Sequence, residues 1–149
     1  MDICFIGGTT FHAGLRFSFR NEMAGIKDEQ MQQLRQQFEE MMVVIIDEMS
    51  LVGADFFYNV HRRLVDILQM EDMFADRGVM LVGDLLQIPP VMATPIFLKP
   101  LTQQNKSLWN TDANLWNSCS AVNLKTNFRV GDSPWNECLN RIRLGEENE

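Results

Sequence analysis

Asp47 and Glu48 are adjacent carboxylates that follow directly on Val43, Val44, Ile45 and Ile46, and a third acid, Asp84, follows Val82 and Gly83 after a second apolar run. Four consecutive β-branched residues predict a strand buried on both faces, the pattern of a parallel sheet. Ligands of such sheets sit at the carboxyl ends of the strands. Paired acids at that end suit metal–phosphate chemistry. One carboxylate holds Mg²⁺, directly or through water, while its neighbour orients or deprotonates the water that attacks a γ-phosphate. A plainer reading stays open here, since an acid pair leaving a strand also serves to cap the next helix.

The elements around these acids follow from periodicity. From Glu29 onward Met31, Leu34, Phe38 and Met41 recur at helical spacing with Gln, Arg and Glu between them, an amphipathic helix leading into the Val43 strand. Phe57, Val60, Leu64, Ile67 and Leu68 form one stripe and predict a helix over 55–69, followed by a strand over 79–82. Helix, strand, helix, strand implies a mainly parallel α/β sheet flanked by helices. Residues 3–6 read as a further strand that breaks at Gly7 and Gly8. Beyond Asp84, Pro89, Pro90, Pro95 and Pro100 exclude regular helix and central strand. A loop of that length is often functional. A helix over 108–119, a short strand over 121–124 and a final helix capped by Ser133, begun by Pro134 and stopped by Gly145 complete the expected order.

Bulk properties narrow the function classes. With 149 residues, 46% hydrophobic and 22% charged, the chain is one soluble domain with a core of its own. A net charge of −7 argues against a self-sufficient DNA-binding module, which would carry a basic footprint, though a local basic groove is compatible with it. Cys4, Cys119 and Cys138 are odd in number and widely spaced, so buried reduced thiols are expected. With only His12 and His61 beside them, no zinc site is expected. No apolar run has the length of a membrane span, and no signal-peptide pattern opens the chain; the expected setting is cytosolic or nuclear.

Four segments then fall in a fixed order: Gly7-Gly8-Thr9-Thr10-Phe11-His12; Ile45-Ile46-Asp47-Glu48-Met49-Ser50; Val82-Gly83-Asp84-Leu85-Leu86-Gln87-Ile88-Pro89-Pro90-Val91; and Leu124-Lys125-Thr126-Asn127-Phe128-Arg129. Together with the closing Leu139-Asn140-Arg141-Ile142-Arg143-Leu144-Gly145, this resembles the petite-integration-frequency helicases and their Helitron-transposon relatives, superfamily 1B DNA helicases. The resemblance covers almost the whole chain, and the Gly-Asp-x-x-Gln-Ile-Pro-Pro-Val segment is its most specific part.

The resemblance implies a partial RecA-like P-loop NTPase domain, residues 1–149, from an ATP-dependent 5′-to-3′ DNA helicase that serves repair, recombination or telomere maintenance in the nucleus or mitochondrion. It implies ATP and Mg²⁺ as cofactors, and single-stranded DNA and duplex junctions as partners of the parent protein. By matching position, Asp47 takes Mg²⁺ and Glu48 positions the hydrolytic water. Gln87 lies near the γ-phosphate, where a neutral amide accepts from water while donating to a phosphate oxygen. Arg129 reaches the phosphates as a finger. Gly83 and Asp84 shape the turn below Gln87 in the nucleotide site, and Thr9, Thr10 and His12 touch single-stranded DNA.

Each residue also has a plainer role. Gln87 would bond its own loop backbone, Arg129 a surface acid, Asp84 its own turn, and Thr10 would cap a helix. Phe11, Phe17 and Phe19 would be core rather than base-stacking residues, and Trp109, Trp116 and Trp135 are assigned to packing.

The match is incomplete in two respects. The phosphate loop G-x-x-x-x-G-K-[ST] does not occur in the sequence, and neither do the later motifs of a second motor domain. That loop supplies the N–H cradle, the Lys on the phosphates and the hydroxyl on Mg²⁺. The expectation is weak nucleotide binding and no DNA translocation by this chain alone. The alternative is a transposon-derived remnant acting as a non-catalytic binding or interaction domain.

Overall fold

The computed structural model describes residues 8–18, 23–110, 114–126 and 134–145. Their order is α1 (Phe11–Gly14), α2 (Asp28–Phe38), β1 (Val43–Ile46), a 3-10 turn (Met49–Leu51), α3 (Ala54–Leu68), β2 (Gly78–Leu81), α4 (Gln103–Trp109) and α5 (Pro134–Leu144). β1 and β2 pair in parallel, from Val43 opposite Gly78 to Ile46 opposite Leu81. α3 makes the crossover that a parallel pair requires. The architecture is α/β, as the alternation of patterns predicts.

α3 organises the core. Its stripe of Phe57, Val60, Leu64 and Ile67 is fully buried, and Tyr58 with it. α2 brings Leu34 onto this stripe, and Arg35 Nε donates to the Ile67 carbonyl at 3.1 Å. The last carbonyls of a helix lack partners within it, so this side chain closes the carboxyl end of α3. Gln69 then turns the chain with φ 56°. His61, buried on α3, accepts the Phe74 N–H on Nδ1 at 3.0 Å and so fixes the Met73–Asp76 turn that delivers the chain to β2. Burial, and then Arg62 beside it, holds the His61 pKa below its ordinary value.

The sheet departs from expectation on one face. Val44, Ile46, Val79 and Leu81 turn toward the core, but Val43, Ile45, Met80 and Val82 are 50%, 53%, 53% and 41% exposed. A continuous β-branched run does predict burial on both faces, yet no described element covers this side. Among the described residues, one of the two faces has its layer.

Later elements differ too. In place of a helix over 108–119, α4 ends at Trp109 and Asn114 starts a separate turn, its Oδ1 accepting the Asn117 N–H at 3.1 Å. Residues 121–124 form no strand and lie exposed, with Val122 and Leu124 at the surface. No strand among the described residues pairs with this short apolar run. Cys119 and Cys138 are exposed rather than buried, and Trp135 faces solvent while Trp109 and Trp116 pack against the core. α5 begins at Pro134 and stops at Gly145, which has φ +70°, as expected. Its stripe of Trp135, Leu139 and Ile142 is left largely uncovered. The expected strand over 3–6, Cys4, Phe19 and the Ser133 cap lie outside the described residues.

Candidate functional site

β1 ends at Ile46, and the chain turns at once. Glu48 takes a left-handed conformation, φ 52° and ψ 49°, which a residue with a side chain adopts only when its surroundings enforce it. Three contacts do so. The Glu48 N–H donates to Asp47 Oδ1 at 2.8 Å, the Met49 N–H donates to the Val82 carbonyl at 2.9 Å, and Gly83 presses on the turn from β2. A Cβ on Gly83 would stand 2.8 Å from Met49 N and 3.3 Å from the Glu48 Cα, and φ +142° at Gly83 is itself unfavourable to any other residue. The result is two neighbouring, exposed carboxylates with a fixed backbone between them.

The turn after Gly83 is closed by Asp84. Its Oδ1 accepts the Leu86 N–H at 3.0 Å and its carbonyl accepts the Gln87 N–H at 3.1 Å. Its Oδ2 accepts Arg143 Nε at 2.9 Å. One carboxylate oxygen thus shapes the turn, the plainer of the two roles expected for Asp84, and the other ties the turn to α5. The Gln87 amide, by contrast, is exposed and bonds no backbone group among the described residues, so its plainer role is not the one seen there. Arg129 lies outside the described residues.

Thr10 caps α1, accepting the Ala13 N–H on its hydroxyl at 3.3 Å, while Thr9 and Thr10 remain exposed. Capping and an outward-facing role coexist. His12 lines a cavity of about 560 Å³ together with Asp47, Glu48, Phe56 and Pro90. A neighbouring cavity of about 610 Å³ joins Thr9, Thr10 and His12 to Asp47. Three of the residues picked out by sequence, Thr9, Thr10 and His12, therefore border the cleft of the acid pair. Gln87 does not line it, but its turn is joined to the acids through Gly83. Phe17 is core, as its plainer reading held.

The proline-rich wall of the cleft is held by a residue that the sequence did not single out. Asp55, in the first turn of α3, accepts the Leu101 N–H at 2.7 Å, the Thr102 N–H at 3.1 Å, the Thr102 hydroxyl at 2.7 Å and Asn105 Nδ2 at 2.9 Å. It caps α4 from another helix and sits at two helix amino termini at once. Burial alone would raise its pKa, but these hydrogen bonds outweigh burial and lower it. Asp55 in the first turn was a visible helix-start signal, whereas its partners 46 to 50 residues on were not. Arg143 and Phe56 were missed for the same reason: their partners are distant in sequence.

The donor set fits Mg²⁺. A hard cation of this size uses one or two carboxylates and completes its shell with water and phosphate oxygens. Asp47 and Glu48 offer that number, and no cluster of three or more His, Cys, Asp or Glu suited to a metal occurs among the described residues. For a nucleotide the fit is partial, because the acid end is present and the phosphate-loop sequence is not.

A parallel α/β core with acids at the strand ends defines a domain of the RecA-like NTPase class, and solved structures agree on the fold. A Bacteroides Pif1 bound to ssDNA superposes with a TM-score of 0.68 at 22% identity, covering 95% of this chain and 34% of that one. The Pif1 helicase from Candida albicans gives 0.68 at 20%, covering 91% and 30%. The family model described as PIF1-like helicase matches residues 1–147, and the chain belongs to that family. The ATP-dependent DNA helicase PIF1 of Homo sapiens is 30% identical over 149 residues, taking in 95% of this chain and 21% of that protein. The ATP-dependent DNA helicase RRM3 of Saccharomyces cerevisiae is 27% identical over 146 residues, with 95% and 19% covered. The chain therefore spans about a fifth of the length of these relatives.

Proposed function

We propose that this chain is part of the first motor domain of an ATP-dependent 5′-to-3′ DNA helicase acting in repair, recombination or telomere maintenance, in the nucleus or mitochondrion. The observation that carries the reading is the enforced left-handed turn at Glu48, pinned by Gly83, which presents two carboxylates to a cleft shared with His12. Among the left-handed residues of the chain, Glu48 is the one at the end of β1 beside the acid pair, and strain at such sites is often part of a mechanism.

In this reading Asp47 would hold Mg²⁺ through the carboxylate oxygen that the Glu48 N–H does not occupy. Glu48 orients the attacking water and accepts its proton. Gln87 reports the state of the γ-phosphate from the turn that Gly83 and Asp84 shape, and Arg129 neutralises charge on the transferring phosphoryl group. Mg²⁺ and ATP supply charge neutralisation and the leaving group; a phosphate loop outside this sequence would supply the cradle. Thr9, Thr10 and His12 contact the phosphates of single-stranded DNA, and duplex junctions are engaged by the parent protein.

The competing reading, a non-catalytic interaction domain, is favoured by the half-exposed face of Val43, Ile45, Met80 and Val82. Paramagnetic Mn²⁺, standing in for Mg²⁺, and an oligothymidylate separate the two. The motor reading expects Mn²⁺ to broaden amide signals around Asp47, Glu48 and Gly83, with the effect lost in Asp47→Asn, and the oligothymidylate to shift those of Thr9, Thr10 and His12. Absence of both responses would sink it.

A further inference from the structure

The aromatic ring of Phe56 stands between the two halves of the cleft. It lies in the first turn of α3, two residues beyond Ala54, and lines both cavities that contain Asp47 and His12. The His12 imidazole stacks on it with ring centres 5.2 Å apart and planes 18° from parallel. Phe17 packs against it at 5.2 Å and Phe11 meets it edge-on at 5.9 Å. Phe17 is held in turn by its N–H bond to the His12 carbonyl at 3.0 Å and by the Arg63 guanidinium 5.3 Å above its ring. Every aromatic contact of α1 with α3 thus converges on one side chain. α1 is a single turn with no buried residue, too short to hold its own orientation.

We propose that Phe56 is a positioning residue that holds His12 and the Thr9–Thr10 segment in register with the acid pair, so that a DNA strand on one side and a metal–phosphate on the other meet a single rigid cleft. The inference rests on the motor reading above, in which His12 contacts DNA. An imidazole free to rotate would spend part of its time turned away from a phosphate, and a flat ring stacked on its face removes that freedom without using its nitrogens. In this proposal Phe56 acts through the ring it stacks on, His12.

The test uses the whole chain and a fluorescein-labelled oligothymidylate. Phe56→Leu keeps apolar volume but offers no face for stacking; Phe56→Tyr keeps the face. With the thermal melt recorded for each, Phe56→Leu should weaken oligothymidylate binding by roughly 3- to 10-fold and move the His12 ring-proton resonances out of the ring current, while Phe56→Tyr keeps both. In a His12→Ala background Phe56→Leu should weaken binding no further, which distinguishes positioning from general support of the fold. Phe56→Leu binding as well as wild type, Phe56→Tyr failing as Phe56→Leu does, or losses that multiply in the double variant would each overturn the inference. Wild type that fails to bind the oligothymidylate overturns the DNA reading of the segment itself, and this inference with it.

Discussion

Successive side chains of β1 meet opposite environments. Ile46 is fully buried beneath α3, while Ile45 next to it is half exposed, and Met80 opposite Ile45 matches it. On the α3 side the chain completes its own layer with a helix stripe, a closed helix end, a histidine-held turn and an aspartate-held wall. On the other side no described residue covers the apolar sheet face. The acids sit at the rim where the two sides meet. The scaffold that positions the chemistry is thus built on the α3 side of the sheet.

The largest test of this contrast compares Phe57→Ala with Ile45→Ala. Removing a fully buried ring from the α3 stripe costs about 3–5 kcal/mol, while truncating a half-exposed isoleucine costs about 1 kcal/mol or less. Urea denaturation of both variants checks it. Equal losses would mean that the open face is covered in solution and would break the comparison.

Gly83→Ala probes the rim. The added Cβ would meet Met49 N at 2.8 Å in a backbone region that disfavours side chains. A loss of about 1–3 kcal/mol is expected, together with weakened Mn²⁺ broadening around Asp47 and Glu48. Loss of stability with unchanged Mn²⁺ response would show that Gly83 supports the fold rather than the acids.

The sequence revealed the rim better than either face. A β-branched run ending in two acids marks a strand end, and the periodic stripe of α3 marks what packs beneath it. A strand's own residues do not say whether a second layer exists, so the exposure of Val43 and Ile45 was illegible. α4 starts in Gln103, Gln104, Asn105, Lys106 and Ser107, which carry no apolar period, and its capping acid, Asp55, lies 47 residues earlier. Glu48's left-handed turn arises from the pressure of β2, a contact that no local pattern encodes. Gly83, named from sequence for shaping the turn below Gln87, makes its close approach to Met49 and Glu48.

Acid sensitivity separates the closed half further. His61 has a lowered pKa, so the unfolded chain takes up a proton first; its contribution is intact above the ordinary value of 6.5 and falls as pH drops through the lower folded value. Asp55 is also lowered, so its contribution holds above 3.8 and is lost further into acid. Thermal melts against pH should therefore show two falls. Asp55→Asn should cost about 1–2 kcal/mol at neutral pH and flatten the second fall while leaving the first.

The smallest effect belongs to Arg143, and it sharpens the comparison by asking how far the rim depends on α5. The Arg143–Asp84 pair is made through one nitrogen, with the arginine side chain 47% exposed and the aspartate 23%. Exposed pairs of this kind contribute about 0.2–1 kcal/mol and weaken with salt. Arg143→Ala should therefore change stability by less than about 1 kcal/mol, with the difference from wild type shrinking as salt rises. Asp84→Asn keeps an oxygen for the Leu86 N–H while removing the charge, so in that background Arg143→Ala should have almost no effect. Full loss from Arg143→Ala in the Asp84→Asn chain would instead mean that Arg143 holds α5 through its apolar stem, and that the Gln87 turn stands without help from the carboxyl-terminal helix.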